Sequence, residues 1–197
     1  MNKALRFIFI VCLIALSSQS LAQNVLVPVN AKWRYYDSAI APANNWHHPL
    51  FDDSKWPLGK AQLGFGEGDE QTRLAKTSAG TPIIAYYFRH EFNWNGPNVP
   101  TKLNLRMLVD DGARVFINGI EVHRLLLPNG TQSGQPRLTS NNSDVHFATG
   151  SLIEYMWYEV TLNKKVTLQQ NNVVAVEVRQ ISQHSSDLSF NLELLLK

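Results

Sequence analysis

Residues 103–125 read LNLRMLVDDGARVFINGIEVHRL, and the reading of this stretch decides the fold. Asp111-Gly112 and Asn118-Gly119 are dipeptides that tolerate the positive φ of two-residue hairpin turns, and apolar residues alternate on either side of each. The pattern predicts three antiparallel strands in a meander. Alternation continues in both directions. It predicts further strands at 32–36, 83–94, 157–162, 173–180 and 188–196, and no run of a dozen residues keeps a helical stripe. Within 83–94, Ile84, Tyr86, Phe88 and Phe92 share one face and Tyr87, Arg89 and Glu91 the other, so one face is expected in the core and one in water. Leu188, Phe190, Leu192 and Leu194 alternate likewise with Ser189, Asn191 and Glu193. Strands of this kind hide their apolar faces by packing two sheets together. The predicted fold is an all-β, two-sheet antiparallel β-sandwich.

The first residues are built differently. Lys3 and Arg6 precede an apolar run from Phe7 to Leu16, and Ser20-Leu21-Ala22 offers a small-x-small cleavage site, so residues 1–22 are expected to be a cleaved signal peptide and 23–197 one secreted domain. That run is shorter than the roughly 20 apolar residues a spanning helix needs, and no membrane span is expected elsewhere. Cys12 is the single cysteine and lies in the leader, which leaves the rest without thiol or disulfide. The 18 basic residues fall to 16 without Lys3 and Arg6, against 16 acidic ones. A neutral chain with no Lys/Arg cluster has little grip on a phosphate backbone, and no nucleic-acid partner is expected.

Five phrases occur in order: FDDSKWPLGKAQLGFGEGDEQT (51–72), IAYYFRHEF (84–92), LVDDGARVFINGIEVHR (108–124), NVVAVEVRQ (172–180) and SDLSFNLEL (186–194). Together they resemble a galactose-binding-domain-like jelly-roll module of secreted bacterial proteins, and are similar to the non-catalytic sugar-binding domain of β-galactosidase-like glycosidases. The resemblance covers most of the chain. It implies a jelly roll whose catalytic chemistry, where present, sits in another domain, and a partner that is either carbohydrate or protein.

Candidate ligand residues follow from the chemistry a sugar site asks for. An indole can stack on a pyranose ring while imidazoles and charged groups bond its hydroxyls, which draws attention to Trp46, His47 and His48, with Arg89, Asp110 and Asp111. Each has an ordinary structural explanation as well: Trp46 and Trp56 as pins for a long loop, Arg89 as a cross-strand ion pair, Asp111 as a turn former. Asp52, Asp53, Glu67, Asp69 and Glu70 crowd one segment, and hard oxygen ligands suit calcium, which related jelly rolls often carry. A solvated acidic loop is the competing account. The six histidines show no close ligand spacing, so zinc is not expected. No serine lies in G-x-S-x-G, and the chain is expected not to be an enzyme, although Ser185, His184 and Asp187 could assemble in space. A binding module for carbohydrate is the first expectation, a protein-interaction subunit or effector the second, and a small hydrolase the third.

Overall fold

A computed structural model describes residues 25–96, 102–127, 156–162 and 166–197. The expected signal peptide and nearly all of the polar connection at 126–156 lie outside the described residues. The strands in chain order are β1 (Val25–Val27), β2 (Lys32–Tyr36), β3 (Leu58–Lys60), β4 (Leu63–Phe65), β5 (Thr72–Arg73), β6 (Thr77–Ser78), β7 (Thr81–Pro82), β8 (Ala85–Asn93), β9 (Leu103–Val109), β10 (Gly112–Ile117), β11 (Ile120–Leu125), β12 (Tyr158–Thr161), β13 (Asn171–Arg179) and β14 (Leu188–Leu196). Every strand that alternation predicts is present. The segment 37–82, where alternation predicts no strand, also carries the short strands β3 to β7.

Sheet I runs β12-β9-β14-β4-β5 with β1 also on β14, and sheet II runs β11-β10-β13-β8-β2-β3; β6 and β7 form a small hairpin apart. From β8 onward the chain passes back and forth between the sheets, which makes the sandwich a jelly roll. All pairings are antiparallel except β4 with β5. The facing sides meet in one core, where Phe88 of sheet II stacks on Phe190 of sheet I at 4.0 Å between ring centroids. Trp33 meets Phe190 edge-on at 4.9 Å, and both residues are fully buried. Deep packing of this kind supplies most of the drive to fold.

Two expectations need correcting. Asn118-Gly119 does turn a two-residue hairpin, with Ile117 opposite Ile120 and φ of 50° and 83°, but Asp111-Gly112 does not. β9 pairs with β12 and β14, whereas β10 pairs with β11 and β13, so residues 110–112 carry the chain from one sheet to the other. Asp110 N–H donates to Ser189 O at 3.1 Å, prolonging the β9–β14 ladder, and Gly112 then opens the β10–β13 ladder opposite Arg179. Nor is the outer face of sheet II wet throughout. Tyr87 and Arg89 are buried there, because the connection between β2 and β3 lies across them.

Candidate functional site

The β2–β3 connection docks by folding into successive turns, with Trp46 N–H on Ala43 O (2.9 Å), His48 N–H on Asn45 O (2.9 Å) and Phe51 N–H on His48 O (3.1 Å). The turns drive Trp46 and Trp56 onto Ala85, Tyr87, Phe116, Val173 and Ala175, which makes a second, smaller core outside sheet II. Trp46 meets Tyr87 edge-on at 4.9 Å and is 0% exposed, so the expected stacking plate is instead a pin. His47 stacks on Phe116 at 4.5 Å; burial, and then the Arg114 charge, hold its imidazole below the usual range and therefore neutral at pH 7. His48 stays exposed on the rim.

Arg89 fastens the same connection. Its Nε donates to Asp53 Oδ2 at 2.7 Å, and its Nη1 to the carbonyls of Trp46 (2.6 Å) and His48 (3.1 Å). At 1% exposure it is spent on the fold rather than offered to a ligand. The upper half of the face continues as buried pairs: Arg179 on Glu177 at 2.5 Å, and Arg114 bridging Glu177 (3.5 Å) and Glu121 (2.9 Å). Charges this deep are tolerated because each finds a counter-charge.

Asp110 and Asp111 sit at the change of sheet, 8% and 3% exposed. Burial pushes the Asp110 carboxyl up to about 8, helped by the charge and hydrogen bond of Asp111 and the charges of Asp187 and Glu67. Asp111 Oδ2 accepts from Ile181 N–H at 2.6 Å. The five acidic residues considered for calcium do not converge, and Glu70 accepts from Glu67 N–H (2.8 Å) and Gly68 N–H (3.0 Å) of its own loop. Asp53 holds Arg89 outside sheet II and Asp52 accepts from Ser54 N–H at 3.0 Å, while Asp69 accepts from Gln62 Nε2, which also bonds Ser189 of sheet I. Glu67 belongs with Asp110. Among the described residues no three His, Asp or Glu are placed to hold a metal ion. His184 pairs with Gln183 at 3.0 Å and Ser185 Oγ has no hydrogen-bond partner among the described residues, so the bonded nucleophile and base that a hydrolase needs are not formed by these two.

What the docked connection leaves uncovered is the lower half of the outer face of sheet II. Two hollows lie there. One, of about 210 Å³, is floored by Lys32, Arg34 and His90 beside Leu58, and the other, of about 450 Å³, is lined by Leu50, Asn93, Gln169 and Asn171. Glu91 lines both, so they form one groove across β3, β2, β8 and β13. Leu50 and Leu58 are 89% and 54% exposed on its rim. The amide end is held rigidly from beneath. Asn172, 2% exposed, accepts from Gln169 N–H (2.8 Å) and Asn118 Nδ2 (2.9 Å) and donates to Gln169 O (2.6 Å). Of the residues lining the groove only Arg89 and Asp53, tied to each other at the edge of the first hollow, were sequence candidates. The available signal was the outward parity of Lys32, Arg34, Glu91, Asn93 and Asn171 in their strands, which His90, packed on Trp33, does not share.

No protein-family model matches the chain. It is 27% identical over 151 residues to an α-L-rhamnosidase of Streptomyces avermitilis, a match covering 77% of this chain and 12% of that enzyme. Among solved structures, a calcium-binding mutant of Bacteroides uniformis β-glucuronidase 2 superposes with a TM-score of 0.51 at 14% identity, over 84% of this chain and 17% of that one. A glycosyl hydrolase family 2 member from Bacteroides cellulosilyticus gives 0.52 at 13% identity, over 89% and 20%. The chain therefore spans a fifth or less of each, and shares its fold with one part of much longer glycosidases.

Proposed function

We propose that this chain is a secreted, non-catalytic module that binds carbohydrate in the groove on the outer face of sheet II. One observation carries the proposal: an open trough in which amides and charged groups stand between two exposed leucines. Amides and carboxylates exchange hydrogen bonds with sugar hydroxyls, and aliphatic rims cover the C–H faces of the rings. The two hollows have the size of small-ligand sites, roughly 300–1,000 Å³ in sum. Support comes also from the long glycosidases that share the fold and from the rhamnosidase similarity. The non-catalytic part rests on the carboxyls of Asp110 and Asp111, which are buried and bonded within the protein rather than facing a cleft.

A glycan array followed by titration calorimetry on the purified chain tests this. The expected result is binding with Kd on the order of 10–100 µM, as suits a small polar site. Silence across the array, at about 1 mM protein (where a binding free energy near −4 kcal/mol, a Kd of about 1 mM, would still register), would overturn the reading. Release of reducing sugar by the chain would overturn its non-catalytic half.

A further inference from the structure

The two ends of the groove differ in charge, and the difference is built into strand register. Lys32 of β2 stands opposite Lys60 of β3, and Arg34 of β2 stands opposite Arg89 of β8. Like charges directly across a sheet repel. Arg89 is neutralised by Asp53, but neither Lys32, Lys60 nor Arg34 has a carboxylate within 4.0 Å among the described residues. Arg34 is nonetheless aimed, since its Nη1 donates to Trp56 O at 2.8 Å and fixes the plane of the guanidinium. His90 adds no charge: burial holds its imidazole below the usual range, and its Nδ1 lies 2.7 Å from Lys32 O. At this end of the groove Lys32 and Arg34, with no ion-pair partner within 4.0 Å among the described residues, stand beside the Arg89–Asp53 pair and next to Glu91, three cations to two carboxylates. At the waist stands Glu91, exposed and shared by both hollows, and beyond it the lining is amide, with no charge.

We infer that the groove takes an acidic oligosaccharide, seating one uronate carboxylate against Lys32 and Arg34 and laying neutral sugar rings past Glu91 over Asn93, Asn171 and Gln169; this rests on the carbohydrate-binding reading above. An anion at the cationic end relieves the repulsion that the free protein carries, and a planar carboxylate matches the guanidinium fork. Glu91 sets the pattern of charge along the ligand. A second uronate would bring its carboxylate against Glu91, so the groove selects an acidic unit followed by neutral ones rather than a homopolymer of uronates. Four strands at about 4.8 Å spacing give a trough roughly 14 Å long, which suits an oligosaccharide better than a single sugar.

The test uses a panel of aldobiouronic and aldotetraouronic acids, each with its carboxyl-reduced counterpart, titrated into the whole chain. The acids are expected to bind about fivefold tighter than their reduced forms, the worth of roughly 1 kcal/mol, with the difference fading in 0.5 M salt (Debye length about 4 Å). Lys32→Gln with Lys60→Gln should cut that preference by half or more, the remainder resting on Arg34. Both side chains are exposed, and relief of their repulsion should leave the melting temperature equal or higher. Asn171→Ala should weaken acid and reduced forms alike, and Glu91→Gln should admit trigalacturonate, which the unaltered chain rejects. Equal binding of acids and reduced forms overturns the inference and leaves the carbohydrate reading standing, while no binding by any glycan overturns both. A preference undiminished in the double lysine variant overturns the placement, and a sulfated neutral trisaccharide binding as well as the acids overturns the carboxylate.

Discussion

Asp53→Ala removes the counter-ion of a guanidinium that is 1% exposed, leaving Arg89, among the described residues, the Trp46 and His48 carbonyls and the face of Phe51 but no anion. Breaking a buried pair by deleting one partner costs roughly 3–5 kcal/mol, because the surviving charge stays desolvated. Asp53 itself is 17% exposed, so water can reach the vacated side, and the lower end, about 3 kcal/mol, is expected here. For a domain of this size that lowers Tm by roughly 6–12 °C. The effect should be local first. Freed from Arg89, the β2–β3 connection lifts and wets Trp46 and Trp56, so tryptophan emission should move to the red at denaturant concentrations where the far-UV signal of the sheets is still native. Replacing both partners, Asp53→Ala with Arg89→Met, removes the stranded charge and should recover more than half of the loss. Urea titrations read by fluorescence and by circular dichroism make the comparison. A single-variant cost below about 0.5 kcal/mol, or a double variant no better than the single one, would show that Arg89 does not need its carboxylate and would refute the fastening argument.

Three further outcomes are expected. Asp110 holds its proton up to about pH 8 when folded against 3.8 for an ordinary aspartate, so between those values the folded state binds a proton that the unfolded state has lost; stability is full below about pH 4 and declines as pH rises through 8. Chemical denaturation from pH 4 to 9 should show that decline, and Asp110→Asn should flatten it; a curve unchanged by the substitution would place the titration elsewhere. A Cβ on Gly64 would stand 1.9 Å from Leu188 O, so Gly64→Ala must part β4 from β14, and a loss of roughly 2–3 kcal/mol in a urea titration is expected, with an unaltered midpoint as the refuting result. Tyr87 Oη is buried without a hydrogen-bond partner among the described residues, so Tyr87→Phe should be neutral or stabilise by up to about 1 kcal/mol, and a loss larger than that in the same titration would reveal a missed bond.

The long strands were legible because a half-buried strand writes its own period, as β2, β11 and β14 show by matching the expected bounds. Residues 110–112 misled for a physical reason. Asp-Gly signals a reversal only when the flanking strands pair, and alternation looks the same whether the next strand returns to its neighbour or crosses to the other sheet. Arg89, Glu177 and Arg179 occupy positions of the parity that usually faces water, and nothing local shows that Asp53, 36 residues from Arg89, comes back to neutralise it. The choice between plate and pin for Trp46 stayed open for the same reason, since its burial depends on where a remote connection docks. For the groove the difficulty is reversed. Lys32, Glu91 and Asn171 look like ordinary solvated strand residues in one dimension, and only the sheet order β2-β8-β13 sets them side by side.

The pairing of β1 with β14 sets Val25 opposite Leu195, so the two outermost described strands run as immediate neighbours. A circularly permuted gene could therefore join residue 197 to residue 25 through a few glycines and open the polypeptide at the exposed turn of Ala79 and Gly80, severing only the β6–β7 pairing. Both sheets would keep their neighbours, and the same closeness would let the whole sandwich be spliced into a surface turn of a host protein with little displacement of the host's own strands.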